Sequence, residues 1–183
     1  MDESFGWKVE WEISKYKADS IEIVQDQMIE PYEVLKEKGN LLLHQGAAAM
    51  WQFMLGNGSA GTDAYLSYYD ATNSRIAVGT SNVAVAASQV DLQGGQIGSA
   101  DAYRTYGTMQ PGYPQHTDGT ATANSTVEFV SVFESAEANF DWNEWGITNG
   151  TASTSRVLNR KTTYMGTKQP GETWTFIIRI TLS

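Results

Sequence analysis

A chain of 183 residues and 20.1 kDa is long enough for one domain with a substantial core and short for two. A formal net charge of −9 and a pI near 4.6 exclude a basic nucleic-acid binder, because a negative surface repels phosphate. The absence of Cys excludes disulfides, thiolate metal sites and a cysteine nucleophile. Two histidines, His44 and His116, are too few for a His-rich centre.

The first elements read as strands. Trp7, Val9, Trp11 and Ile13 alternate with Lys8, Glu10 and Glu12, a period of two. Ile21 and Ile23 resume the pattern after the turn Ala18-Asp19-Ser20, so residues 1–38 are expected to form an extended N-terminal arm with a hairpin. Charged outward residues suit a strand exposed to water.

A helix is expected over residues 41–55. Asn40 is a good N-cap, and Leu43, Ala47, Met50, Trp51 and Met54 fall on one face of a 3.6-residue period. Gly56-Asn57-Gly58 ends it. Such a helix needs a sheet to cover its apolar stripe.

The remainder reads as β. Strands are expected at 64–69, 75–79, 126–133, 138–142, 156–165 and 173–182. The last is the clearest, with Trp174, Phe176, Ile178, Ile180 and Leu182 on one side. Gly- and Ser-rich stretches at 56–62, 93–99 and 149–155 separate the strands. The expected fold is therefore mainly β: an antiparallel β-sandwich over residues 39–183, one short α-helix packed on it, and the arm of residues 1–38. No apolar stretch is long enough to span a membrane as a helix.

Charge is uneven along the chain. Residues 1–38 carry 10 acidic and 5 basic side chains, and residues 39–155 carry 10 acidic side chains against Arg75 and Arg104. The last 28 residues reverse the sign, with Arg156, Arg160, Lys161, Lys168 and Arg179 against Glu172. An acidic body with a basic end fits self-complementary association into a homo-oligomer or docking on a neighbour, and the plainer alternative is a set of solvated strand faces.

Candidate chemistry is sparse. Asp141-Trp142-Asn143-Glu144-Trp145-Gly146 pairs carboxylates with indoles, as glycosidase sites do. In an extended strand, however, residues three apart face opposite sides. The expectation is that Glu144 accepts backbone N–H groups at a strand end while Trp142 and Trp145 pack inside. His44 reads as a packing residue. His116, in the loop Pro114-Gln115-His116-Thr117-Asp118-Gly119, has no partner at metal-ligand spacing. Ser125, Ser131 and Ser135 lack a nucleophile-elbow context. No catalytic residue, metal ligand or cofactor site is expected. Tyr103, Tyr106 and Tyr113, in one Gly- and Pro-bearing loop, suit protein contact or stacking on sugars.

The order of motifs resembles a group of structural proteins of tailed bacteriophages. The carrying pieces are Gly39-Asn40-Leu41-Leu42-Leu43, Gln89-Val90-Asp91-Leu92-Gln93-Gly94 and Met109-Gln110-Pro111-Gly112-Tyr113-Pro114. They continue with Glu137 to Ile147, Leu158-Asn159-Arg160-Lys161 and Gly166-Thr167-Lys168. The resemblance covers residues 39–183. It implies a β-rich, non-enzymatic virion protein with Asn143, Glu144, Trp145 and Gly146 as a structural motif.

On this resemblance the leading expectation is a capsid decoration or cement subunit on the head exterior, contacting the major capsid protein or other virion proteins. Trp7, Trp11, Tyr103, Tyr106, Tyr113, Arg160 and Lys161 are its candidate interface residues. The alternatives are a tail-associated subunit (tube, baseplate or fibre attachment) and a host glycan-binding module. The acidic start Met1-Asp2-Glu3-Ser4 is not a secretory signal, so the expected route is synthesis in the host cytoplasm and residence in the virion.

Overall fold

The computed structural model describes residues 6–54, 68–94, 104–119, 124–151 and 155–182. Among these residues, ten strands form two five-stranded antiparallel sheets. The first sheet has the order β2-β1-β10-β7-β6, built from β1 (Trp7–Tyr16), β2 (Glu33–Lys38), β6 (Gln115–Thr117), β7 (Ser125–Phe133) and β10 (Thr173–Leu182). The second has the order β3-β9-β8-β4-β5, from β3 (Leu41–Leu42), β4 (Arg75–Gly79), β5 (Arg104–Thr108), β8 (Asp141–Thr148) and β9 (Val157–Thr167). This is a β-sandwich carrying a short helix.

The core lies between the sheets, and strand register explains its composition. Trp11 pairs with Ile178, which pairs with Phe129; Ile13 pairs with Phe176. These rows place buried side chains opposite Trp142, Trp145 and Ile147 of β8. Ring centroids lie 4.7 Å apart for Phe133–Trp142 and Trp142–Trp174, and 6.1 Å for Trp11–Trp145, in edge-to-face contact. Such pairs add about 0.5–1.5 kcal/mol each beyond simple burial. Trp142 and Trp145 share a face despite their odd spacing because a bulge lies between Trp142 and Glu144.

Residues 7–38 are part of the sandwich rather than an arm beside it. β1 pairs along its whole length with β10 and along six residues with β2, so it is an interior strand. Its expected hairpin partner is also different. Ile21–Asp26 is helix α1, with Ser20 as N-cap, its hydroxyl accepting from the Ile23 N–H at 3.4 Å. Short helices and strands both tolerate the pattern Ile-Glu-Ile, and the cap decides between them.

The second helix, α2 (His44–Met54), begins later than expected, because Leu41 and Leu42 pair with Arg160 and Asn159 of β9. Its buried face is also rotated. Leu43, Gly46 and Ala49 are buried, whereas Trp51 and Met54 are 62% and 72% exposed. Gly46 sets this orientation, since a Cβ there would stand 2.1 Å from the Leu158 carbonyl oxygen. Only glycine lets the helix approach β9 so closely.

The segment 80–94 has no helix or strand, yet it is closely held. Leu92, with Val85, covers the outer side of the second sheet and forms a small second core with Leu43, Ala77 and Val157. The expected strand at 64–69 lies outside the described residues except for Tyr68 and Tyr69, which are not in a strand.

Candidate functional site

The acid singled out in the sequence sits under segment 80–94. Glu144 on β8 and Arg160 on β9 are both completely buried, and Arg160 Nε donates to Glu144 Oε2 at 2.7 Å. The same carboxylate accepts the backbone N–H of Gln93 at 2.9 Å and of Gly94 at 2.5 Å. The two other guanidinium nitrogens donate to Gln89 Oε1 at 2.9 Å and to the Val83 carbonyl at 3.0 Å. Thr162 Oγ1 also donates to Val83 O at 3.0 Å, and Asn143 Nδ2 to Thr80 O at 3.0 Å. A buried charge pair is tolerable only when its remaining donors and acceptors are satisfied, and here the segment does this.

Space around the carboxylate is closed as well. A Cβ at Gly79 or Gly94 would lie 2.7 or 2.8 Å from Glu144 Oε1. Glu144 thus accepts backbone N–H groups, as read from its context, but from a segment fifty residues away in sequence and not at a strand end. Asp141 is exposed at the start of β8, bonded to Thr167 Oγ1, and does not join it. The two carboxylates therefore do not flank a substrate position. Gly146 is a second close approach, where a Cβ would stand 2.6 Å from Asn159 O.

A second group of charges closes the end of the sandwich near β2. Lys15 Nζ donates to Met165 O at 2.7 Å and to Glu33 at 2.8 Å, and lies 4.3 Å from the Trp174 ring centroid. Lys168 Nζ donates to Glu134 O at 2.7 Å and to Asn139 Oδ1 at 3.1 Å. Burial pushes the Lys168 ammonium down to about 8. Glu172 accepts from Lys17 and from Trp174 Nε1. Burial raises its pKa, but hydrogen bonds from Lys17, the Gln169 N–H and Tyr32, with the Lys17 charge, together hold it below the usual range. Burial and the neighbouring Glu172 carboxylate push the Tyr32 phenol up to about 12.

The structure redistributes the expected interface residues. Trp11 is 2% exposed and belongs to the core, and Arg160 is buried beside Glu144, so neither offers a surface. Trp11 points between the sheets, and Arg160 lies on the outer side of the second sheet under segment 80–94 with its charge paired. Trp7 is partly buried, its indole N–H donating to Asn40 Oδ1 at 2.9 Å. Tyr106 and Tyr113 are half-buried against the two cores, and Lys161 is half-buried. Tyr103 lies outside the described residues.

One constellation went unread in the sequence. His116 pairs with Val127 across β6 and β7, which puts Ser125, two residues along, on the same face. Ser125 Oγ and His116 Nε2 are 2.9 Å apart, and His116 Nδ1 is 3.4 Å from Asp118. The order of groups resembles a hydrolytic triad. In such a triad a buried aspartate holds the imidazole, whereas the Asp118 side chain is 90% exposed. His116 and Ser125 read instead as the polar edge of a pocket lined also by Trp7 and Tyr69, and Asp118 is not among its lining residues.

Among the described residues, no three of His, Asp or Glu are placed to hold a metal ion, and no helix is long and apolar enough to cross a membrane. Comparison with protein-family models, curated proteins and solved structures returns no match.

Proposed function

We propose that this chain is a non-enzymatic structural subunit of a tailed-bacteriophage particle, seated on the head exterior as a decoration subunit. The observation that carries the structural part is the closed Glu144–Arg160 centre. The acid best suited by sequence to chemistry holds a 15-residue segment onto a sheet, with no room for a substrate. The phage part rests on the motif resemblance over residues 39–183.

The outer face of the first sheet supports an assembly role. Lys38, Glu10, Arg179 and Glu128 lie in one cross-strand row of alternating sign. Lys38 and Glu10 are 2.9 Å apart, as are Lys36 and Glu12. Lys38 lowers the Glu10 pKa by hydrogen bond and charge. Alternating charge gives a neighbour a register to match rather than one field to follow. The partner on this reading is the major capsid protein, and further copies of the chain are the second contact.

Separated heads and tails, profiled quantitatively for protein, test the proposal. The expected result is a fixed ratio of this chain to the major capsid protein on DNA-filled heads. Recovery in a few copies with tails would replace it with the tail-associated reading. Absence from both would end it.

A further inference from the structure

At the end of the sandwich that holds the start of β1 and the end of β10, an apolar pocket of about 250 Å³ opens between the sheets. Val127, Phe129 and Ile180 line it from the first sheet, Leu158 from the second and Met50 from α2. His116 and Ser125 lie at the same pocket, hydrogen-bonded to each other at 2.9 Å.

Size, charge and hydrogen bonding together define what fits. An enclosed apolar protein cavity of about 150 Å³ takes one benzene ring, and this half-open pocket of about 250 Å³ has room for a second fused ring. Among the described residues that line the pocket there is no Lys, Arg, Asp or Glu, which disfavours a buried ion of either sign. Asp118 beside His116 and the net charge of −9 further disfavour an anion at the mouth. Ser125 Oγ donates to the Thr117 carbonyl at 3.4 Å and pairs with the imidazole at 2.9 Å, which leaves one oxygen lone pair to accept a ligand hydroxyl without breaking either bond.

We propose that this pocket binds an uncharged bicyclic aromatic alcohol, with its rings between the sheets and its hydroxyl donating to Ser125, which His116 holds in place. The proposal stands on this geometry and is independent of where the subunit sits in a particle.

The probe is 2-naphthol, titrated into the full chain carrying ¹³C-labelled Ile, Leu and Val methyls. The expected result is saturable, one-to-one shifts of the Val127, Leu158 and Ile180 methyls, with a Kd below about 1 mM. Met50→Trp, which fills the pocket from the helix, is expected to weaken binding at least about tenfold, and Ser125→Ala about threefold to tenfold. Shifts that grow linearly without saturation, or that fall elsewhere on the molecule, would overturn the proposal. So would unchanged affinity in a folded Met50→Trp protein. Should that variant not fold, the wild-type methyl map decides alone. Pocket methyls that follow protein concentration and ignore naphthol would assign the space to a second copy and also overturn it.

Discussion

Arg160 carries most of the burden at the residue scale. It joins β9 to Glu144 on β8 and to Val83 and Gln89 in the covering segment. Removing one partner of a buried pair leaves an uncompensated charge, typically costing about 3–5 kcal/mol. Arg160→Met is therefore expected to lower stability by about that amount in urea unfolding. Adding Glu144→Leu to it should recover part of the loss, because no charge then remains buried. Equal losses in the single and double variants would contradict this account of the pair.

Lys168 gives a pH-dependent prediction at the same scale. Its folded pKa of about 8 lies below the ordinary 10.5. Between these values the unfolded chain binds more protons, so stability rises with pH there and is lost as pH falls through 8. The stability difference between wild type and Lys168→Met is expected to rise by about 2 kcal/mol from pH 8 to 10. A flat difference would contradict it. The window stops at pH 10 because Tyr32, raised to about 12, acts with the opposite sign above it. Neither residue was legible as buried from its own neighbours in sequence. Both are charged positions whose partners come from other parts of the fold: Glu144, Gln89 and Val83 for Arg160, and Glu134 and Asn139 for Lys168.

β1 and β10, with their sustained period of two, were legible, as were β4, β7, β9 and α2 close to their expected bounds, and the others were not, for separable reasons. β10 alternates along its length as its pattern names, and β1 does so over residues 7–13, with Lys15 as a further inward residue the pattern does not name. β3 and β6 are two and three residues long, too short for any period. β8 hides its length behind the bulge that brings Trp142 and Trp145 to one face. α2 shows a helical period, but the close contact of Gly46 with Leu158 overrides the apolar stripe and turns Trp51 outward. β1 was read correctly as a strand and wrongly as an arm, since periodicity reports a face and not a neighbour.

Its interior position changes what truncation does. Deleting residues 1–38 removes Val9, Trp11 and Ile13 from the core and leaves β10 unpaired on one side. The expected outcome is loss of cooperative thermal unfolding and exposure of apolar surface to a hydrophobic dye. A truncated chain that still unfolds cooperatively near the wild-type temperature would restore the arm.

At the scale of the whole molecule, two charged centres and one apolar pocket divide the work. The Glu144–Arg160 centre fixes the cover on the second sheet, and the Lys15, Lys168 and Glu172 groups close one end. The charged row of the first sheet faces outward, and Trp51 and Met54 stand exposed on α2. These centres tie the described elements together and leave the charged row outward, and the decoration proposal builds on that arrangement.

The most direct measurement of that proposal is a binding titration of purified chain onto heads assembled without it. The account predicts saturable binding at a fixed number of copies per capsid, with tails from the same preparation left bare. Binding confined to tails, or none to either, would contradict it.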